Sequence, residues 1–231
     1  MRMHWMSRTL WMVGLTVGSV AAMGQTTVAL SGYGAFSGST NSNGITQSPS
    51  NAAGAIVELR HISNPLMGYE ATYSWNRANQ AYSATTEVVC GVCSVSTTWT
   101  PVPNNAHEIT GDWVVSLHVL NVRPFALAGG GVLFNVPSKG TTTTTTDITA
   151  CGGGEPVCPV GFSTSTTTTR NATEGVFVYG AGLDWGLLPH IGLRLQYRGN
   201  LYKAPNLSSL YTSTDRFTHT AEPMVGAYFR F

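Results

Sequence analysis

The stretch that decides the fold is Ile191–Tyr202, IGLRLQYRGNLY. Its odd positions carry Ile191, Leu193, Leu195, Tyr197 and Leu201, and its even positions carry Arg194, Gln196, Arg198 and Asn200. Side chains alternate sides along a strand, whereas a helix would spread both sets around its axis. The run therefore reads as a β-strand with one apolar and one polar face. Its length is close to the roughly 9–11 residues that cross a bilayer as a tilted strand.

The same alternation recurs on both sides of this stretch. Val176–Trp185 sets Phe177, Tyr179, Ala181, Leu183 and Trp185 against Gly180, Gly182 and Asp184. His107–Val119 sets Ile109, Trp113, Val115 and Leu117 against Glu108, Thr110, Asp112, Ser116 and His118. Tyr69–Asn76 opposes Tyr69, Tyr73 and Trp75 to Glu70, Thr72 and Ser74, and Ala53–His61 opposes Val57 and Leu59 to Glu58 and Arg60. Phe125–Phe134 is rich in glycine, and its apolar set is read as Phe125, Leu127 and Leu133. Val28–Ser37, whose register the pattern leaves open, and Phe217–Phe231 bring the total to eight strands.

The links between these strands alternate in length. Short ones centre on Asn64-Pro65, on Asn121–Pro124 and on Leu187–Pro189; long ones cover 38–51, 78–106, 135–174 and 203–215. Tight turns at one end and long loops at the other are the pattern of an up-and-down membrane barrel, with both termini on the tight-turn side. On that topology the aromatic residues sort into two bands. Tyr69, Phe125, Trp185, Phe229 and Phe231 point outward near the periplasmic ends, and Trp75, Phe177 and Phe217 point outward near the external ends. Such bands sit at the two membrane–water interfaces. The fold expected is all-β: an eight-stranded antiparallel up-and-down transmembrane β-barrel. A secreted soluble sandwich would need polar residues where Leu193, Leu195, Phe177 and Leu183 stand.

Composition agrees. Only 10% of residues are charged, against about 25% in soluble proteins, yet the mean hydropathy is only +0.04, as alternating strands require. The net charge of +1 gives no reason to expect a nucleic-acid partner. Arg2 and Arg8, an apolar stretch Thr9–Val20, and the small residues Ala22 and Gly24 read as a cleaved export signal over 1–24, with the barrel domain at 25–231.

The last residues, Pro223-Met-Val-Gly-Ala-Tyr-Phe-Arg-Phe231, resemble the terminal strand of bacterial outer-membrane proteins, with aromatic rings at Phe229 and Phe231. Pro223 departs from that strand, because it cannot donate to a ladder; a bulge or the strand's upper rim is expected there. With this terminus and eight strands, the chain resembles the small OmpA/OmpX-type barrels of the bacterial cell outer membrane. It looks like the stand-alone members, with no room for a peptidoglycan-binding domain. The resemblance implies outer-membrane lipid as surroundings, the barrel assembly machinery as a partner through Phe229 and Phe231, and a monomer.

The inward faces collect Glu58, Glu70, Glu108, Asp112, Asp184 and Glu222 with Arg60, Arg194, Arg198 and Arg230. Eight strands enclose a lumen just wide enough for side chains to fill, so these charges are expected to pair as a plug. A narrow pore for ions or small solutes is the alternative. Cys90 and Cys93, and Cys151 and Cys158, fall in the two longest loops. An exported chain meets oxidising surroundings, so disulfides are expected rather than a redox or zinc site. Four cysteines allow three connectivities, with closure within each loop favoured. No cofactor or metal is implied. A lipid A-modifying barrel enzyme would need Ser, His and an acid together; the nearest sets are Ser116 with His118, and His219 with Asp215 and Ser213. The expected role is therefore structural, in membrane integrity or in surface interaction, with an extracellular ligand met by loops 78–106 and 135–174.

Overall fold

A computed structural model describes residues 25–64, 66–88, 93–138, 142–148, 163–167, 169–207 and 214–231, without the side chains of 84–102, 142–148 and 163–167. The segment 1–24, Cys90, Cys151, Cys158 and the Cys93 side chain lie outside these residues, so the export-signal and disulfide readings do too. The strands are β1 (Gln25–Ser37), β2 (Thr40–Ser42), β3 (Ile45–Pro49), β4 (Ala52–Ile62), β5 (Met67–Val88), β6 (Cys93–Ser116), β7 (Val122–Pro137), β8 (Thr142–Ile148), β9 (Ser163–Thr167), β10 (Ala172–Gly186), β11 (Ile191–Lys203) and β12 (Phe217–Arg230). Eight of them close a barrel in the order β1-β4-β5-β6-β7-β10-β11-β12, with β12 returning to β1. Every pairing is antiparallel. Closure matters because an open edge cannot hydrogen-bond in lipid.

The polarity is inside out. On β11, Ile191, Leu193, Leu195, Tyr197 and Leu201 are exposed, while Arg194 and Arg198 are fully buried. Trp113, Phe177 and Val225 are likewise exposed on the outer wall. In β1, whose register the sequence left open, Thr27, Ala29, Ser31, Tyr33 and Ala35 face inward, and Leu30 and Phe36 face outward.

One face assignment is overturned. Phe125, Leu127 and Leu133 are buried inside the barrel, and Val132, Phe134 and Val136 form the outer face of β7. Phe125 therefore does not belong to the periplasmic aromatic band. The cause lies across the ladder, where Gly182 of β10 is the register partner of Phe125. A Cβ on Gly182 would stand 2.5 Å from Phe125 Cζ, so the missing side chain is what makes room for the ring. With Val114, Val176 and Val178 it forms an apolar cluster within the lumen.

Two further expectations are corrected. The β6–β7 turn lies earlier than expected: Val119 and Val122 pair around Leu120 and Asn121, and Pro124 already belongs to β7. At Pro223 the register of β12 against β1 is the same above and below, so there is no bulge; the Gly34 and Ala35 pairings are simply missing. The ring nitrogen carries no proton to donate there.

The long connections are not loops throughout. β5 and β6 continue as a paired hairpin over 78–88 and 93–104, with an irregularity between Gln80 and Tyr82. The 38–51 link contains the hairpin β2–β3, turned at Asn43 and Gly44, both at positive φ. Asn-Gly is the pair that such a two-residue turn prefers. β3 adds to β5, β8 adds to β6, and β9 adds to β8. Beyond the barrel rim these six strands form one sheet in the order β2-β3-β5-β6-β8-β9. Thr is the commonest residue in these segments, and its β-branched side chain favours pleated pairing over irregular chain.

Candidate functional site

The lumen holds two tiers of charge. In the lower tier, Arg60 Nε donates to Glu70 Oε2 at 2.6 Å, and Arg60 Nη1 reaches Asp184 Oδ2 at 3.2 Å. Arg194 grips Asp184 with two arms, Nε to Oδ1 at 2.7 Å and Nη2 to Oδ2 at 3.0 Å. Its Nη1 lies 3.2 Å from Glu58 Oε2 and 3.3 Å from Glu70 Oε2. Ser31 Oγ donates to Glu58. The charged residues of this tier come from four strands, β4, β5, β10 and β11, with Ser31 added from β1, and the guanidinium of Arg60 stacks 3.8 Å from the centroid of the Phe125 ring. Removing ions from water costs several kcal/mol each, which only close, multiply bonded pairing offsets. The two-armed contact is the strong form of that pairing.

In the upper tier, Arg198 Nη2 meets Glu108 Oε1 at 3.1 Å, Asp112 Oδ2 at 3.8 Å and Thr110 Oγ1 at 2.7 Å. Thr110 Oγ1 in turn donates to Asp112 at 3.0 Å, and Asn200 Nδ2 donates to Glu108 Oε2 at 3.0 Å. Glu222 is buried beside them.

Arg230 is set apart from both tiers. It is half-buried at the periplasmic end, and its Nη2 donates to Tyr228 Oη at 3.3 Å; among the described residues no carboxylate pairs with it. Near it stands a cation that sequence reasoning missed: Arg123, whose Nη1 donates to Gln25 Oε1 at 2.6 Å. Its place next to Pro124, in what reads as a turn, hid it. Both line a cavity of ≈ 340 Å³ at this end, with His118 and Asp184.

At the other end a strap crosses the barrel mouth. Ala204 and Leu207 are buried. Tyr82 Oη donates to Pro205 O at 2.9 Å and accepts from Leu207 N at 3.0 Å. Gln47 Nε2 and Arg170 Nε hold the neighbouring carbonyls of Pro205 and Asn206. Burial pushes the Tyr82 phenol up to about 12, so it serves this strap as a neutral hydroxyl at every physiological pH.

The residues weighed for catalysis do not assemble. Ser116 is buried and His118 is exposed, with its ring against Arg123. His219 Nε2 is 3.0 Å from Tyr179 Oη, and Asp215 pairs with Lys203 at 2.7 Å; Ser213 lies outside the described residues. Among the described residues no group of three or more His, Cys, Asp or Glu converges as a metal site.

An apolar belt around a closed antiparallel barrel that hides its charges is the architecture of the bacterial outer membrane. The chain is a small outer-membrane barrel by fold. No family model and no curated protein matches its sequence. Among solved structures it is similar to Ail, the attachment invasion locus protein of Yersinia pestis, at 14% identity, with 90% of this chain and 99% of that one covered and a TM-score of 0.44. It is also similar to the neisserial surface protein A, at 12% identity, 90% and 99% coverage and a TM-score of 0.47. The outer membrane protein OprG of Pseudomonas aeruginosa matches at 10% identity, 90% and 96% coverage and a TM-score of 0.47. At such identities the likeness concerns the arrangement of strands alone.

Proposed function

We propose that this barrel is a non-catalytic surface protein, a monomer whose lumen is plugged and whose working part is the sheet standing outside the membrane. The observation that carries this reading is the length of β5 and β6, at 22 and 24 residues, about twice what a bilayer crossing needs. A passive barrel has no use for a six-stranded external sheet with a strap tying it to the rim. The two charge tiers are built across the lumen from facing strands, which favours a plug over a pore. The 1–24 segment serves as the export signal, and Phe229 and Phe231 are what the assembly machinery reads.

The test compares cells carrying the intact protein with cells whose variant lacks residues 139–168, the span of β8 and β9. Heat-shifted migration on detergent gels should persist in the variant, while adhesion to surfaces should fall. Unchanged adhesion together with lost detergent resistance in the deletion strain would favour a membrane-integrity role instead. Large, stable conductance of the intact barrel in planar bilayers would replace the plug with a pore.

A further inference from the structure

The upper tier of the lumen is out of charge balance. Glu108, Asp112 and Glu222 are buried there beside a single cation, Arg198. Among the described residues no cation lies within ion-pair distance of Glu222, and its Oε2 has no hydrogen-bond partner although the residue is only 2% exposed. Glu222 lines a cavity of ≈ 40 Å³ that lies between the Arg198 tier and the Pro205 strap. Glu108, Asn200, Asn104 and Asn135 share its wall. On this wall the acceptor oxygens Asn200 Oδ1 and Asn104 Oδ1 are also without partners, against one unpartnered donor, Asn135 Nδ2; Arg198, which does not line the cavity, keeps Nε and Nη1 unpartnered as well. Asn200 bridges the two acids, bonded to both Glu108 and Glu222.

Three carboxylates against one guanidinium leave an excess of two negative charges in a buried place, a strongly unfavourable state unless something positive enters. The cavity has room for only about three water-sized particles, which rules out sugars, amino acids and other organic solutes. A wall of carboxylate and amide oxygens, free of sulfur and imidazole, selects a hard cation. We infer that the upper lumen binds one hard divalent cation, Ca²⁺ or Mg²⁺, between Glu222, Glu108 and the Asn200 carbonyl, beneath the Pro205 strap. Among the described residues no cage of three acidic ligands is ready-made, so the ion keeps part of its water shell.

The test uses full-length protein purified from membranes in detergent, stripped with chelator and titrated with Ca²⁺ and with Mg²⁺ at neutral pH. Equilibrium dialysis should find one saturable ion per chain, and the thermal unfolding midpoint should rise over the same titration. Glu222→Gln should weaken binding at least tenfold and melt no lower than the wild type in chelator, because it removes the charge the ion neutralises. Asp215→Asn, at the outer rim, should bind as the wild type does. Should Glu222→Gln fail to fold, Tb³⁺ luminescence excited through Tyr202, which also lines the cavity, reads the wild-type site directly and should be quenched by Ca²⁺. A midpoint identical in Ca²⁺, Mg²⁺ and chelator, no Tb³⁺ signal, or wild-type binding by Glu222→Gln would overturn the assignment and leave a chamber of water and protons alone.

Discussion

At the scale of single residues, Arg194 carries the most. It touches three carboxylates, Glu58, Glu70 and Asp184, and none of its surface is exposed. Arg194→Met leaves those three acids with only Arg60, so the barrel should lose about 3–5 kcal/mol in urea unfolding from lipid vesicles. Adding Asp184→Leu removes one of the stranded charges and should restore part of that loss. A double-mutant cycle measures the coupling, which should be at least about 1 kcal/mol for groups in such contact. Strict additivity would mean that the tier is not a unit. The acids and arginines of this tier were legible in the sequence, because each stands at the polar phase of an alternating run. Phe125 was not. In Phe125–Phe134 the glycines and alanines leave too few large side chains to fix the phase, and the decisive partner, Gly182, is distant in sequence and visible only across the β7–β10 ladder.

At the scale of elements, strand existence was legible throughout the barrel, while the external sheet was not. The Thr- and Ser-rich tracts within the long link 135–174 lack an apolar phase and give no strand signal; residues 142–148 and 163–167 become strands by adding to the edge that β6 offers. Asn43-Gly44 was the one local signal of this sheet, since that pair marks a two-residue hairpin. The seam between β12 and β1, where the barrel closes, has its own weak point at Pro223. Its pairing with β11 at Tyr197 is intact, whereas the ladder towards β1 is interrupted at Gly34 and Ala35. Pro223→Val supplies the missing donor on a lipid-facing position, and the added ladder bond should stabilise the barrel by about 1 kcal/mol. No change in the unfolding midpoint would mean that the seam is open for another reason.

At the scale of the whole molecule, two structures share one chain: a barrel that fits the membrane and a sheet that leaves it. Inside the barrel, side chains cross the lumen in layers: Arg60 and Arg194 below, Arg198 above, and the strap at Pro205 at the mouth. All of this rests on side chains facing lipid where a soluble protein would put them in its core. The most direct measurement is a nitroxide scan of residues 191–202 in a cysteine-free barrel reconstituted in lipid vesicles, reading collision with dissolved oxygen. Labels at positions 191, 193, 195, 197 and 201 should collide freely with oxygen dissolved in the acyl chains, and those at 194, 196, 198 and 200 should be shielded, with a period of two. Collisions peaking at 194 and 198, or repeating every three to four residues, would contradict it.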